Sequence, residues 1–417
     1  MSVTNAQIHD LVDHLFRQKS GQITAILVKI FGIDHLDLAE DVVQDALIKA
    51  IQQWPFSGVP KNPGGWLMQA AKYRALDILR REATFREKQP QLIQQITEQM
   101  DTHGQPQFED EQLTLMFTCC HPQLNFETQT VLILKTLCGF SVNEIARAFL
   151  TQPATIAQRL VRAKRKIKED KIKFEIPENQ QLKLRLFTIL NVLYLFFNEG
   201  YGATEGEDLV RQELCEEAIR LAYLVANNPV GNLPESHALL ALMLFHAARL
   251  ETRTDSDGNL ILLAEQDRSQ WNHKLIQRGF YHLDRAASGN EMTEYHVQAI
   301  IASCHAAAES YETTNWKRIL EFYDILVSLN RSPVFLLNRA VAVAMTNGAE
   351  AGLNELDELR ELPSMQNYYL LPATYAEFHR RLGNHQDAEK YYRQTLELVR
   401  TKPERQFILK RIDEMQN

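Results

Sequence analysis

The chain has 417 residues, of which 45% are hydrophobic and 24% are charged, and its formal net charge is −8. This length is too great for one compact core and suits two or three domains, and the composition is that of a soluble globular protein. The acidic balance excludes a protein that coats nucleic acid uniformly. No apolar run is long enough to span a membrane, and the first residues lack the basic start and apolar core of a signal peptide. We therefore expect no membrane partner.

Charge is distributed unevenly along the chain. Of the 45 Lys and Arg and the 53 Asp and Glu, residues 1–176 hold 21 and 20, which leaves a net charge of −9 for the remainder. The basic residues of the first part cluster in Lys72–Lys88 and Arg159–Lys173. Focused basic patches beside an acidic half are typical of a protein that contacts DNA through local surfaces.

Cysteine usage indicates the compartment. An odd number of cysteines without CxxC spacing predicts a reducing environment, which we take to be the cytoplasm. The run Cys119-Cys120-His121 has no second ligand pair at metal spacing, so buried thiols are favoured over a metal site. We expect neither a metal nor another cofactor. The five cysteines are Cys119, Cys120, Cys138, Cys215 and Cys304.

The first predicted elements are helical. Residues 4–31 have the apolar spacing of a helix pair, split near Gly21. Asp37–Trp54 predicts a longer helix with a broad apolar stripe. Asp37 is expected to cap it, with Glu40 three residues further on.

One face of this helix is acidic. Asp37, Asp41 and Asp45 recur every fourth residue and share that face with Gln44. Such a face beside apolar residues can dock a basic partner. On chemistry alone, the favoured alternative is a solvated face that complements the helix dipole.

The next helix carries aromatic and basic side chains. Pro55–Gly65 predicts a loop, and Trp66–Glu82 predicts the helix that follows it. Aromatic rings stack on unpaired bases and cations hold phosphates, so this helix suits single-stranded DNA. For Trp66 itself, burial in the core is the favoured alternative. The expected outward residues are Lys72, Tyr73, Arg80 and Arg81.

A polar segment separates this part from further helices. Gln89–Asp110 is rich in glutamine and poor in large apolar residues, which predicts a linker. Helices are then expected over Glu111–Thr118 and Phe126–Cys138. Asn125 is expected to cap the second of these and Gly139 to end it.

Ser141–Lys168 predicts a short helix, a tight turn and a longer basic helix. Ser141 and Glu144 form a reciprocal capping pattern, and Pro153 can open the second helix because no N–H is needed there. This arrangement is typical of a helix-turn-helix whose second helix enters the DNA major groove. An ordinary helical hairpin with a solvated basic face is an equal alternative. The expected inward residues are Ile156, Leu160 and Ala163, and the expected outward residues include Arg159, Arg162 and Lys166.

Together these segments resemble a bacterial RNA polymerase sigma factor of the extracytoplasmic-function type. The family pattern D-x-AED-x-x-Q-(D/E) is matched by Asp37–Asp45. The pattern W-L-x(5)-N-x(3)-D-x-x-R-R is matched by Trp66–Arg81, with Tyr73 in place of the common asparagine. The pattern EIA-x(8)-TV-x-x-RL-x-RA(R/K) is matched by Glu144–Lys164, with Ile156 in place of valine. The resemblance covers residues 1–175 and favours a docking role for the acidic helix.

The resemblance implies a role for each helix. The Asp37–Trp54 helix would bind the clamp coiled coil of the polymerase β′ subunit, and the β flap is a second implied contact of the core enzyme. The Trp66–Arg81 helix and its preceding loop would capture the melted −10 element of promoter DNA, and Thr155–Lys166 would recognise the −35 element as duplex. The implied polymerase-binding residues are Asp37, Glu40, Asp41, Gln44 and Asp45. The implied −10 residues are Trp66, Lys72, Tyr73, Arg80 and Arg81, and the implied −35 residues are Thr155, Gln158, Arg159, Arg162 and Lys166.

Residues 176–417 exceed what such a sigma factor needs. They predict an apolar helix over Arg185–Glu199 and further helices over Asp208–Ala226, Glu235–Leu250 and Arg268–Ala287. The segment Asp255–Asn259 has some residues of a calcium loop, but its glycine is in the wrong place and a plain turn is favoured.

The last part of the chain shows a helix-pair pattern from about Tyr295. Gly383, Ala388 and Tyr392 match the spacing of tetratricopeptide repeats. The residues that suggest an earlier unit of the same kind are Trp316, Ile319 and Tyr323. A helical solenoid offers a concave surface for a peptide or partner protein. Resemblance to sigma factors with such an extension implies regulation by the attached domain.

We therefore expect an all-α protein. It would comprise a sigma region 2 bundle over residues 1–90, a linker over 91–110, a region 4 helix-turn-helix over 111–175 and a tetratricopeptide-like regulatory domain over 176–417. Its predicted function is promoter-specific transcription initiation, without enzymatic activity.

Two other functions compete with this one. A stand-alone helix-turn-helix regulator with a partner-binding solenoid is the main alternative, and it would not need the acidic helix as a polymerase dock. An enzyme in the C-terminal half is a third hypothesis, with Asn198, Glu199 and Tyr201 as a polar cluster. No nucleophile–base pair or metal spacing supports that hypothesis.

Overall fold

The structure is a computed structural model that describes residues 19–81, 107–149, 151–203 and 209–416. Regular structure in this part of the chain is helical, apart from isolated bridge residues such as the pair Thr254 and Leu260. The all-α prediction is confirmed. The chain forms two compact units, residues 1–192 and residues 193–417.

The helices of the first unit begin with α1, which covers residues 19–31. The helices that follow are α2 (Leu36–Ser57), α3 (Pro63–Arg81), α4 (Gln107–Cys119), α5 (Phe126–Thr136), α6 (Val142–Ala148), α7 (Pro153–Glu169) and α8 (Asn179–Tyr201). Helix α8 continues past residue 192 into the second unit.

The second unit contains ten further α-helices in the described residues. They are α9 (Gln212–Asn227), α10 (Pro234–Ala247), α11 (His273–Ala286), α12 (Glu294–Ala307), α13 (Trp316–Leu329), α14 (Pro333–Asn347), α15 (Ala349–Arg360), α16 (Leu370–Arg381), α17 (His385–Leu398) and α18 (Lys402–Gln416). Successive helices pack against each other, most extensively α10 with α11, α14 with α15 and α16 with α17.

Helix α1 differs from the prediction. It runs through Gly21 without a break, whereas residues 4–18 of the predicted pair lie outside the described residues. A Cβ at Gly21 would lie 2.3 Å from the carbonyl oxygen of Leu137. The glycine is therefore needed for close packing of α1 against the end of α5, and it does not mark a turn.

Helix α2 begins one residue earlier and ends later than expected. It starts at Leu36 with His35 at the N-cap, so Asp37 lies in the first turn and the predicted Asp37 cap is wrong. The helix continues through Pro55 to Ser57. Trp54 is buried and packs edge-on against Trp66, with 5.5 Å between the ring centroids. These rings fix α2 and α3 together.

The helix-turn-helix forms as predicted. The Ser141 hydroxyl accepts from the Glu144 amide at 3.1 Å, and the Glu144 carboxylate accepts from the Ser141 amide at 2.8 Å. Pro153 opens α7, and the inward residues Ile156, Leu160 and Ala163 are buried.

The predicted linker is shorter than expected in the described residues. Helix α4 already begins at Gln107, so residues 107–110 are helical, and residues 91–106 lie outside the described part of the chain. The Asn125 cap is confirmed, because its side chain accepts from the Thr128 amide at 3.0 Å. Gly139 has φ +70°, a conformation suited to glycine just beyond a helix end.

The second unit shows the expected helix pairs. Gly383 has φ +76° between α16 and α17, and Ala388 and Tyr392 are buried in the core of that pair. The predicted helix over Asp208–Ala226 starts only at Gln212. Asp255 forms a plain turn, because its carboxylate accepts from the amides of Asp257 and Asn259.

Candidate nucleic-acid and protein interfaces

Helix α7 presents polar and basic groups on the face opposite its core. Gln158 and Arg162 are exposed, and Thr155 is half-buried. Arg159 is partly exposed and pairs with Glu127 at 2.9 Å. Since an exposed ion pair contributes at most about 1 kcal/mol, Arg159 can exchange Glu127 for another anion at little cost.

The C-terminal end of α7 is also basic. Lys166 is exposed and pairs with Asp170 at 3.1 Å. Together with Thr155, Gln158, Arg159 and Arg162, it completes the set predicted for duplex recognition. The structure brings all five onto one helix, at the spacing with which a helix can follow a major groove.

Helix α2 presents the predicted acidic face. Asp41 and Gln44 are exposed, and Asp45 pairs with Arg74 of α3 at 2.8 Å. The Arg74 and Asp45 side chains are each 45% exposed, so the pair contributes little to stability. These three α2 residues remain accessible to a partner.

Glu40 and Asp37 have a different environment. Lys164 of α7 contacts the Glu40 carboxylate at 2.6 Å and the Asp37 carboxylate at 2.5 Å. Glu40 also accepts a hydrogen bond from Thr136 of α5 at 2.8 Å, and its side chain is only 10% exposed. Two of the five predicted polymerase-binding residues therefore contact the helix-turn-helix module.

This contact shifts the pKa of the lysine. Burial alone would lower the pKa of Lys164, but the charge of Glu40 and the hydrogen bonds to Asp37 and Glu40 outweigh it, so the pKa is raised. The ammonium group therefore stays charged. Partial burial raises the pKa of Asp41, although Lys164 acts in the opposite direction.

The predicted −10 residues fall into three groups. Tyr73 is exposed and Trp66 is half-buried, so both rings can reach a ligand. Lys72 is 5% exposed, so its predicted outward position is wrong. It lies on the side of α3 that packs inward, next to the buried Ala71. The side chains of Arg80 and Arg81 lie outside the described residues.

Sequence reasoning missed the contacts that Lys164 and Thr136 make with Glu40. Lys164 belongs to the matched family pattern, but that pattern does not indicate its partner. The pair joins residues 124 positions apart in the chain. The pair could have been predicted only by matching a half-buried lysine on one helix with a distant acidic residue beside the apolar face of another helix.

The cysteine and polar clusters show no catalytic arrangement. Cys119 and Cys120 are fully buried, and burial raises the pKa of the Cys119 thiol to about 12. Within the described ranges, no group of three or more His, Cys, Asp and Glu side chains is placed to hold a metal. Glu199 lies 3.8 Å from Arg211, and Tyr201 stacks on Phe197.

Known protein families match these helices. The family model described as Sigma-70 region 2 matches residues 15–85, and the one described as Sigma-70, region 4 matches residues 114–167. The chain belongs to the sigma-70 family. It is a sigma factor of the extracytoplasmic-function type with a C-terminal extension. Proteins of this family are DNA-binding initiation factors and not enzymes.

Other comparisons concern the extension and the whole chain. Residues 185–287 of this sigma factor match a family of unknown function (DUF6596). The chain is similar to the uncharacterized protein R00370 of Rhizobium meliloti (strain 1021), with 37% identity over 340 residues that cover 80% of each protein. No solved structure matches. Among the helices that the structure describes, none is long and apolar enough to cross a bilayer.

Proposed function

We propose that this sigma factor directs core RNA polymerase to promoters that contain a −10 and a −35 element, in the cytoplasm. We further propose that residues 193–417 regulate this activity or bind a partner protein. The observation that carries the proposal is an accessible polar and basic face on α7 together with an accessible acidic face on α2. Helix α7 presents Gln158 and Arg162, and helix α2 presents Asp41 and Gln44.

The −35 element would be recognised as duplex by α7. Arginine pairs in a bidentate manner with guanine and glutamine with adenine at the edges of the major groove, each contact contributing about 1–3 kcal/mol of discrimination. Arg162 and Gln158 are exposed for such contacts. Lys166 would contact phosphate, which strengthens binding without specifying sequence.

The −10 element would be captured as a single strand by α3. The exposed ring of Tyr73 and the half-buried ring of Trp66 offer surfaces on which unpaired bases can stack. Stacking on an aromatic side chain contributes about 1–3 kcal/mol per base. The rings therefore favour the melted strand over the closed duplex.

Polymerase binding through the whole acidic face would require a rearrangement. Lys164 occupies Asp37 and Glu40, whereas Asp41, Gln44 and Asp45 are accessible. We propose that the clamp first contacts the accessible residues and then replaces Lys164 at Glu40. The described arrangement of α2 and α7 would thus be a resting form.

The test uses core polymerase and the full chain on a library of random promoter sequences. We expect transcripts whose start sites share one pair of −10 and −35 elements, and none from core polymerase alone. The Arg162→Ala variant should relax the preference within the −35 element, while Lys410→Ala, an exposed residue of the second unit, should not. If the chain bound duplex DNA but never associated with core polymerase, the stand-alone regulator would be the better explanation.

A further inference from the structure

The second unit contains a cavity of about 400 Å³. Helices α10, α12, α13 and α14 line it, together with the part of α8 that carries Tyr194. Its walls are mostly aromatic and aliphatic, and this size and lining are typical of a small-molecule site. Asn198, Glu199 and Tyr201, the cluster weighed as a possible enzyme site, are not among its lining residues.

The charged side chains that line the cavity are of one sign, positive. Its lining contains no Asp or Glu, and Arg249 is the one Lys or Arg side chain among the lining residues. In the described part of the chain, no carboxylate pairs with Arg249. Its Nη1 atom donates to the side-chain oxygen of Gln266 over 3.4 Å, which is a weak hydrogen bond. The guanidinium is therefore available to an anion.

The two histidines in the lining do not add positive charge. Desolvation and the nearby Arg249 lower the pKa of both His246 and His305 to about 3. Both rings are thus neutral near pH 7. They enlarge the aromatic wall and leave Arg249 as the positive group of the cavity.

Several polar atoms of the lining residues have no protein partner. The indole N–H groups of Trp271 and Trp316 and the Nδ1 atom of His305 form no hydrogen bond with any described residue. Trp271 is only 4% exposed. These atoms have almost no accessible surface, so they lie behind the cavity wall and the rings, not these polar atoms, face a ligand.

Aromatic rings form part of the cavity wall. His305 packs edge-on against Trp316 with 5.2 Å between centroids, and Tyr323 and Phe335 also line the cavity. Flat aromatic walls favour a flat ligand, because offset and edge-to-face ring contacts contribute beyond the buried area.

We propose that this cavity binds a small aromatic carboxylate, with the carboxylate on Arg249 and the ring among Trp316, Tyr323 and Phe335. The site lies within residues 194–341 and does not depend on the promoter or polymerase interfaces. Its test therefore succeeds or fails separately from the proposed initiation function.

The first experiment compares two probes of almost the same shape, 2-naphthoate and 2-naphthamide, by titration calorimetry on the full chain. We expect 2-naphthoate to bind with a Kd below about 100 μM and 2-naphthamide at least tenfold more weakly, because only the former forms a charged pair with Arg249. Equal affinities, or no binding heat with 2-naphthoate up to about 1 mM, would overturn the proposal and indicate a cavity filled by water alone.

The second experiment uses variants. Arg249→Gln should weaken 2-naphthoate binding at least tenfold, whereas Arg331→Gln, an exposed arginine of the same unit paired with Glu358, should have no effect. Trp316→Phe replaces a large ring of the cavity wall by a smaller one, and it should weaken binding about threefold or more. This variant decides the matter if Arg249→Gln fails to fold, and an unchanged affinity in Trp316→Phe would then contradict the proposal.

Discussion

Residues 1–192 present their charged groups on the surfaces of α2 and α7, whereas residues 193–417 gather polar groups from several helices around a cavity. In the first unit, Arg159 and Arg162 lie three positions apart on one helix. In the second, Arg249 and Trp316 both line the cavity although 67 positions separate them in the chain. A surface site is thus encoded by spacing along one helix, and a cavity by the packing of distant segments.

The largest effect is expected from the DNA-facing helix. Arg159→Ala with Arg162→Ala should reduce affinity for the −35 duplex at least about 30-fold, since each guanidinium contributes about 1–3 kcal/mol to base recognition. Association with core polymerase should not change. Footprinting and fluorescence anisotropy on promoter DNA measure the loss.

The matched control for this double variant comes from the other unit. Lys317→Ala with Arg331→Ala removes two exposed cations and should leave DNA affinity unchanged. If both double variants lost affinity equally, DNA binding would depend on the overall charge of the protein. The assignment of DNA binding to the α7 surface would then be wrong.

Acid should destabilise the second unit. Desolvation and Arg249 lower the pKa of His246 and His305 to about 3, against 6.5 for an ordinary histidine. The unfolded chain therefore binds more protons between pH 6.5 and 3, so this stability is complete above pH 6.5 and is lost as the pH falls through that window. We expect a loss on the order of 6 kcal/mol by pH 4, about half of it from each histidine, measured by hydrogen exchange in α10 and α12.

A substitution tests the origin of this acid sensitivity. His246→Phe removes one of the groups and should flatten the dependence of stability on pH, whereas His385→Gln, an exposed histidine, should leave it as it is. A steep dependence that survived His246→Phe unaltered would place the sensitivity outside the cavity.

The contact between α2 and α7 should respond to Lys164→Ala. This change leaves the largely buried Glu40 carboxylate without its cation, which costs the resting arrangement about 1–3 kcal/mol. If the clamp competes with Lys164, affinity for core polymerase should rise about tenfold. Lys168→Ala, which removes an exposed lysine of the same helix, serves as the control in a competition assay. An unchanged affinity in Lys164→Ala would argue against a resting form.

The smallest effect is expected from the accessible acids. Asp41→Ala with Asp45→Ala should weaken polymerase binding about threefold, because rim charges contribute about 0.2–1 kcal/mol each. The effect should shrink further at high salt. Glu350→Ala with Glu397→Ala, an exposed pair of acids in the second unit, is the control. If both double variants weakened polymerase binding equally, the proposal that the α2 face binds polymerase would be contradicted.

Local features of the sequence predicted much of the first unit. The capping pair Ser141 and Glu144, the proline at the start of α7 and the buried stripe of that helix depend on residues within a few turns of one another. The structure confirms these features, because local contacts along one or two helices are enough to determine them. The Gly383 turn in the second unit was predictable on the same grounds.

The features that the sequence did not predict depend on tertiary packing. Lys72 was expected outside and is buried, because the neighbours of α3 and not its own sequence determine which side faces the core. The sequence predicts a break at Gly21, whereas the structure shows that this glycine permits the close approach of Leu137. The cavity around Arg249 had no counterpart in any motif, since its residues share no periodicity.

The bridge from Lys164 to Glu40 has a thermodynamic consequence. One end belongs to the helix proposed to contact the promoter and the other to the helix proposed to contact the transcribing enzyme. Any ligand that releases one end also frees the other, so the two affinities are linked and each must enhance the other by the same factor. Such reciprocity would keep the unassembled factor from occupying promoters by itself and favour the complete complex.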